Sequence, residues 1–412
     1  MNASPALSTP SLELRTHRSR QLMECFAERT GVCEGGSLPP EAKRSQRYLW
    51  TDAFAVCNFL SLAEATRDER YVELAGQLVT AVHGTLGRHR PDDWRAGWLS
   101  GLSDRGASTH PTWGGLRIGK PLPERKWDDA PDEQLEWERD GQYFHYLTKW
   151  MHALDQLARH TRQPRYNLWA RELAAVAFAA FCVQPSRTAP RRLVWKMSID
   201  LSRPLIDSMG QHDALEGLVT CVQLQSTASA LHVSVEGPSL AEERNGFETM
   251  AAGAGWATTD PLGLGGLLTD AYRIAQLQLE GARFDGELMS TLLSAALEGL
   301  AHFAGQNGLA RPAGSRLAFR ELGLSVGLHA LERLGRLNQQ PGRGPHARAS
   351  REEARLLEAL SPAVTLGPEI DAYWLKPEHR EASAWAEHLE LNEVALATSL
   401  CPEGFLELPP VT

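Results

Sequence analysis

Twelve tryptophans stand against seven tyrosines in the 412 residues. Five of them, Trp94, Trp98, Trp113, Trp127 and Trp137, fall in one connection, residues 88–139, which also carries WGGLRIGKPLP. Connections longer than about 15 residues are uncommon in compact domains and usually functional. A tryptophan face stacks on the apolar C–H face of a sugar ring while neighbouring carboxylates and amides take its hydroxyls. Such groups follow at once: Asp140, then Gln142, Tyr143, His145, Lys149 and His152 on one stripe of a helical run. Asp52, Asp140, Asp213 and Asp260 each stand at the start of an apolar helical run. Two readings are open for each of these acids. An aspartate there caps free backbone N–H groups and gains from the helix dipole; two carboxyls facing across a cleft can instead split a glycosidic bond as acid and as base or nucleophile. Capping leaves the aromatic company unexplained.

Other constellations carry less. Asp128, Asp129 and Asp132 fit a DDxxD metal–diphosphate pattern, but Pro131 argues for a loop or helix start rather than one face of a long helix. Six cysteines are scattered without a CxxC pair and read as reduced, packed thiols. Nucleophile-elbow, zinc-protease, phosphate-loop and dinucleotide motifs are missing. The run Leu262-Gly263-Leu264-Gly265-Gly266 follows no strand and reads as close helix packing. No metal and no cofactor is expected.

The elements that must position these residues are helices. Residues 53–65, AFAVCNFLSLAEA, are apolar nearly all round, and an amphipathic run follows at 71–86, an inner helix and then an outer one. The grammar returns at 142–160 and 165–181, with the shared pattern Thr-Arg-x-x-Arg-Tyr at the two turns. Later copies start at 213, at 261 (with 287–303), at 320 (with 351–360) and at 385, and a helix over 12–28 packs outside. Short strands are expected at 191–199 and 231–235. Residues 1–11 read as a frayed terminus and 337–350 as a mobile loop. The expected fold is all-α, an (α/α)6 toroid of six helical hairpins with a few short strands in loops, as a single domain over 1–412.

At the repeat boundaries YLWTDAFAV (48–56), WERDGQYFHYLTKW (137–150), GQHDALEGL (210–218) and WAEHLELNEVAL (385–396), the chain resembles the six-hairpin glycosidase superfamily, α/α-barrel glycoside hydrolases and related sugar epimerases. The resemblance implies a site where outer helices hand over to inner ones. Those positions hold Trp50 and Asp52; Trp137, Asp140, Gln142 and Tyr143; His212 and Asp213; Trp256 and Asp260; Arg320 and Glu321; Glu387 and His388. Trp113 and His145 join them as substrate-binding candidates.

Three functions are open. In a glycoside hydrolase Asp140 is the first choice of acid, with Asp213 or Asp52 as partner. A sugar epimerase would move a proton between facing histidines drawn from His145, His212 and His388. The third is a barrel that binds a saccharide or a protein without chemistry. The ligand expected is a small molecule or an oligosaccharide. Net charge −9 and the lack of a basic block speak against nucleic acid, and no apolar run reaches membrane-spanning length. A cytoplasmic location is expected. If Asp140 is the acid, Asp140→Asn stops turnover and leaves the fold intact.

Overall fold

The computed structural model describes residues 11–32, 47–130, 132–184, 186, 189–306, 308–339 and 350–411. The fold is all-α. Its helices are α1 (Leu12–Thr30), α2 (Leu49–Thr66), α3 (Arg70–Leu86), α4 (Asp104–Thr109), α5 (Glu133–Glu136), α6 (Phe144–Thr161), α7 (Pro164–Phe181), α8 (Asp213–Ala230), α9 (Ala241–Ala251), α10 (Pro261–Leu279), α11 (Leu288–Gly305), α12 (Ala318–Gln339), α13 (Arg351–Leu360), α14 (Leu366–Leu375), α15 (Pro377–Arg380), α16 (Ser383–Ala386), α17 (Leu389–Leu400) and α18 (Glu403–Leu406). The strands among the described residues are two or three residues long: β1 (Gln142–Tyr143), β2 (Cys182–Val183), β3 (Arg192–Leu193), β4 (Lys196–Met197) and β5 (Pro204–Ile206). They form an antiparallel sheet in the order β1-β4-β5 and a β2–β3 pair.

The chain divides into two compact units. An N-terminal unit holds Asp68–Ala254 with Ala27–Ala63 and the segment from Leu408; a C-terminal unit holds Gly255–Glu407 with the chain up to Phe26 and Glu64–Arg67.

In the N-terminal unit, α2 is buried on every side from Leu49 to Ala63, as its unbroken apolar run requires, whereas α3 hides only one stripe. α6 packs on α3, α7 and α8, and α8 packs on α9. Pro164 opens α7 at a position where its missing N–H costs nothing. Asp155 of α6 binds these helices together. Its Oδ2 accepts from Gln223 Nε2 at 2.8 Å, Thr227 Oγ1 at 2.8 Å and Arg159 Nε at 3.2 Å, and its Oδ1 accepts from Asn167 Nδ2 at 2.9 Å. All five residues are buried.

In the C-terminal unit, α10 lies against α12 at a glycine contact. A Cβ on Gly265 would stand 2.0 Å from the Gly323 carbonyl oxygen, and one on Gly327 would stand 2.5 Å from Gly265, so the glycine run at 262–266 serves close packing. α12 also meets α14 and α17.

The six expected inner-helix starts lie within four residues of the observed starts of α2, α6, α8, α10, α12 and α17. Other expectations need correction. Residues 231–235 form no strand: α8 ends there in a turn, with His232 at φ 58° and the Val233 N–H bonded to the Ala228 carbonyl, a local closure that competes with any ladder. The strand expected at 191–199 is two, β3 and β4, paired with different partners across Val194 and Trp195. The run from 142 begins extended, as β1, before α6 starts. The run from 385 breaks at Glu387 and His388 into α16 and α17. The connection 88–139 contains α4 and α5. The frayed terminus expected at 1–11 lies outside the described residues except for Ser11. The loop expected at 337–350 does so over 340–349, flanked by α12, which runs to Gln339, and by Ser350, which caps α13 in a capping box. No helix among the described residues is long and apolar enough to cross a membrane.

Removing Asp155 takes the counter-charge from buried Arg159 and an acceptor from three buried donors at once. Asp155→Ala is therefore expected to cost about 3–5 kcal/mol, read as a shifted denaturation midpoint; a loss below about 1 kcal/mol would show that the network is not what joins these helices.

Candidate functional site

The titratable groups of most interest lie on the first turn of α8. Asp213 is buried and accepts from the Gly210 N–H at 3.0 Å. One turn on, Glu216 accepts from Lys149 Nζ at 2.9 Å and Thr148 Oγ1 at 2.7 Å, both on the facing turn of α6. Burial, and then the neighbouring Glu216 charge, push the Asp213 carboxyl up to about 7. Burial works the same way on Glu216, but the Lys149 ammonium and its hydrogen bond outweigh it and hold that carboxyl well below the usual range. Adjacent carboxyls with opposed protonation preferences are the pattern by which one site keeps an acid and a carboxylate at neutral pH.

His145, on the same turn of α6, joins this pair to an aromatic wall. Trp195 Nε1 donates to His145 Nδ1 at 3.0 Å. An indole N–H can only donate, so Nδ1 accepts and the neutral ring carries its proton on Nε2. Burial pushes the imidazole down to about 4, which keeps it neutral at physiological pH. Trp195 stacks on Tyr143 at 5.6 Å between centroids and meets Trp137 edge-on at 4.7 Å. Tyr143 meets Tyr146 edge-on at 5.2 Å, and the Tyr146 and Tyr48 hydroxyls are 2.5 Å apart. The Tyr143 hydroxyl is buried with no hydrogen-bond partner among the described residues. Trp137 is 46% exposed, so the wall has an open edge.

A buried cation supports the wall. Lys196 of β4 is sealed from solvent with its ammonium 5.3 Å from the centre of the Tyr143 ring. It donates to the Glu136 carbonyl at 2.6 Å, to Glu136 Oε2 at 3.2 Å and to the Arg139 carbonyl at 2.9 Å. Burial lowers its proton affinity, and the Glu136 charge opposes that.

Asp140 anchors the segment instead of facing a ligand. Its Oδ1 accepts from the N–H groups of Gly119 at 2.9 Å, Lys120 at 3.4 Å and Gly141 at 3.0 Å. Its Oδ2 accepts from Arg117 Nη1 at 2.5 Å and Arg90 Nη1 at 3.4 Å. With both oxygens occupied and no solvent exposure, the first-choice acid cannot reach a glycosidic oxygen. Gln142 is a latch: Oε1 accepts from the Leu116 N–H at 2.8 Å, and Nε2 donates to the carbonyls of Gly114 at 3.0 Å and Ile199 at 2.7 Å. Asp52 is buried beside Arg47, with Arg47 Nε 3.4 Å from Oδ2, and Trp50 is buried against Phe54. Trp113 is 48% exposed and stacks on His110, whose Nδ1 lies 2.6 Å from Glu172 Oε1. His212 is half-buried at the start of α8.

The remaining candidates belong to the C-terminal unit. Asp260 caps α10 through the Gly263 N–H at 3.0 Å and takes Arg320 Nη1 at 2.6 Å. Glu321 is buried, accepting from Arg316 Nη2 at 2.6 Å and Trp374 Nε1 at 2.9 Å. Glu387 and His388 are exposed at the break between α16 and α17. For Asp260 the capping reading accounts for the geometry.

Sequence reasoning overlooked Glu216 and Trp195. Glu216 hides in the DALEG run as an ordinary first-turn acid, and its only signal is the three-residue spacing from Asp213, which places the two on one face. Trp195 lay within an expected strand with nothing to mark its ring as a partner for His145. Among the described residues no group of three or more His, Cys, Asp and Glu side chains is placed to hold a metal ion.

No protein-family model matches the chain, and no curated protein matches it. Among solved structures the chain is similar to the crystal structure of Dfg5 from Chaetomium thermophilum in complex with glucosamine, at 13% identity and a TM-score of 0.31, over 98% of this chain and 94% of that one.

Two variants separate anchor from acid. Asp140→Asn leaves buried Arg117 without its counter-charge and is expected to lose about 3 kcal/mol or more of stability; an unchanged melting temperature would return Asp140 to the catalytic list. Asp213 holds its proton to about 7 in the folded chain against 3.8 for the ordinary side chain. The folded state thus binds more protons through that window, and stability falls as pH rises across it. Asp213→Asn has no proton to lose and keeps an oxygen for Gly210, so its melting temperature should fall less between pH 5 and 8 than the wild type's. Parallel pH profiles for the two proteins would refute the assignment.

Proposed function

We propose that the chain is a carbohydrate-active enzyme that hydrolyses glycosides, with Asp213 as the proton donor. The carrying observation is the Asp213–Glu216 pair on one turn of α8, where one carboxyl keeps its proton to about 7 and the other stays charged, joined through Lys149 and His145 to the Trp195–Tyr143–Trp137 wall. A sugar ring needs an aromatic face for its C–H groups and fixed donors for its oxygens. Trp137 and Trp195 supply the face, and the Nε2–H of His145 supplies a donor. A protonated carboxyl then gives its proton to the leaving oxygen as the C–O bond breaks; water adds at the anomeric carbon and releases its own proton to solvent, from which the Asp213 carboxylate is reprotonated. Glu216 is a positioning residue: its charge disfavours a second anion at Asp213.

The same geometry weakens the epimerase reading. Proton abstraction by His145 would need an unprotonated Nε2, whereas the bond from Trp195 places the proton there. The reading of a binding protein without chemistry survives if no glycoside is turned over.

The test uses a panel of aryl glycosides with good and poor leaving groups. Asp213→Asn should lose about 10²–10⁴ in kcat on poor leaving groups, the usual worth of a general acid, and far less on activated ones, which depart without protonation. Wild-type activity should decline as pH rises through about 7. Glu216→Gln should move that decline to lower pH, because removing the neighbouring anion frees the Asp213 proton. A leaving-group dependence identical in wild type and Asp213→Asn would exclude the role.

A further inference from the structure

Two tryptophans stand almost wholly in solvent, Trp94 at 91% exposed and Trp127 at 83%. Indole rings of that exposure offer free faces on which a ligand can stack. The loops that carry them are locked. Arg95, next to Trp94, pairs with Asp93 and Asp200, each at 2.7 Å, and with Glu124. The other Glu124 oxygen accepts from the Ile199 N–H at 2.6 Å. Arg203 donates to the Arg125 carbonyl and sets its guanidinium 5.0 Å from the centre of the Trp127 ring. The segments around 94, 125 and 200 therefore form one surface, and the tryptophans are displayed by a fixed scaffold.

That surface is linked to the candidate site through the β1-β4-β5 sheet. Asp200 and Arg203 lie in the turn between β4 and β5; Trp195 precedes β4, and β4 pairs with β1, which carries Tyr143. The chemistry around the rings selects the occupant. Within three residues of either tryptophan the chain has no large aliphatic side chain, and its neighbours include Asp92, Asp93, Arg95, Arg125, Lys126 and Asp128. The centre of a protein interface is depleted in charge around its aromatic anchors. Exposed indole rings among hydrogen-bonding charges suit a hydrated, hydroxyl-rich chain.

We propose that Trp94 and Trp127 form a platform for the distal sugar rings of a polymeric saccharide whose reacting unit lies at the Tyr143–Trp195 wall beside Asp213. The proposal rests on the glycoside reading above and adds that the substrate is a long chain.

The experiment is affinity electrophoresis of the full chain in gels containing soluble mannan, xylan, mixed-linkage β-glucan or glycol chitosan, with turnover of the corresponding hexaoses measured alongside. The expected result is retardation of the wild type by at least one polymer, weakened about tenfold or more in a Trp94→Ala, Trp127→Ala double variant whose melting temperature matches that of the wild type. Retardation that survives the double substitution overturns the platform. So does a wild type that cleaves a hexaose but is retarded by none of the polymers; in that case the glycoside reading stands alone. Retardation that needs both tryptophans in a protein that cleaves nothing keeps the platform and removes the hydrolase. A wild-type dimer in sedimentation that the double variant converts to monomer, without polymer retardation, assigns the surface to a second copy of the chain and also overturns it.

Discussion

The Asp140 carboxylate is the point on which the arrangement around Trp195 depends. A charge with no solvent exposure persists only where donors replace its water, and here three backbone N–H groups and two guanidinium groups do so. Those donors come from residues 90, 117, 119, 120 and 141, so satisfying one anion folds the long connection back onto the start of β1. Gln142, two residues on, closes the same segment through three more hydrogen bonds. Gly119 is required here: it sits at φ 92°, and a Cβ there would meet the Arg47 carbonyl oxygen at 1.8 Å.

With the connection fixed, polar burial is spent twice more within a short span of chain. Lys196 is enclosed beside the Tyr143 ring that stacks on Trp195 and is held by Glu136 and two carbonyls. Trp195 in turn fixes the tautomer of His145. Each link is a buried donor that must find an acceptor, so the aromatic wall is held by hydrogen-bond satisfaction as much as by packing. Asp213 differs from its neighbours here. It has one backbone donor and a like charge nearby, while the neighbouring Lys149 ammonium is bound by Glu216, and so its carboxyl keeps its proton to about 7.

Of the three aspartates weighed from sequence as catalytic acids, two meet arginines and one does not. Asp52 lies beside Arg47 and Asp140 beside Arg117, while Asp213 lies beside Glu216. In sequence all three look alike, a short acid before an apolar helical run. The arginines are five residues before Asp52 and twenty-three before Asp140, and nothing in local spacing says that they will arrive.

What the sequence determined by itself was the helical content and its phasing. Unbroken apolar runs such as 53–65 can only be buried helices, and a proline at 164 or 261 opens a helix because its fixed φ and missing N–H suit the first turn. These are local rules, so they can be read one segment at a time. Which acid is sealed, which keeps its proton and which tryptophans stay in water were decided only by tertiary structure. A carboxyl's behaviour depends on the charge and solvent within a few ångströms, and the deciding cation can come from far along the chain, as Arg117 does for Asp140 and Lys149 for Glu216.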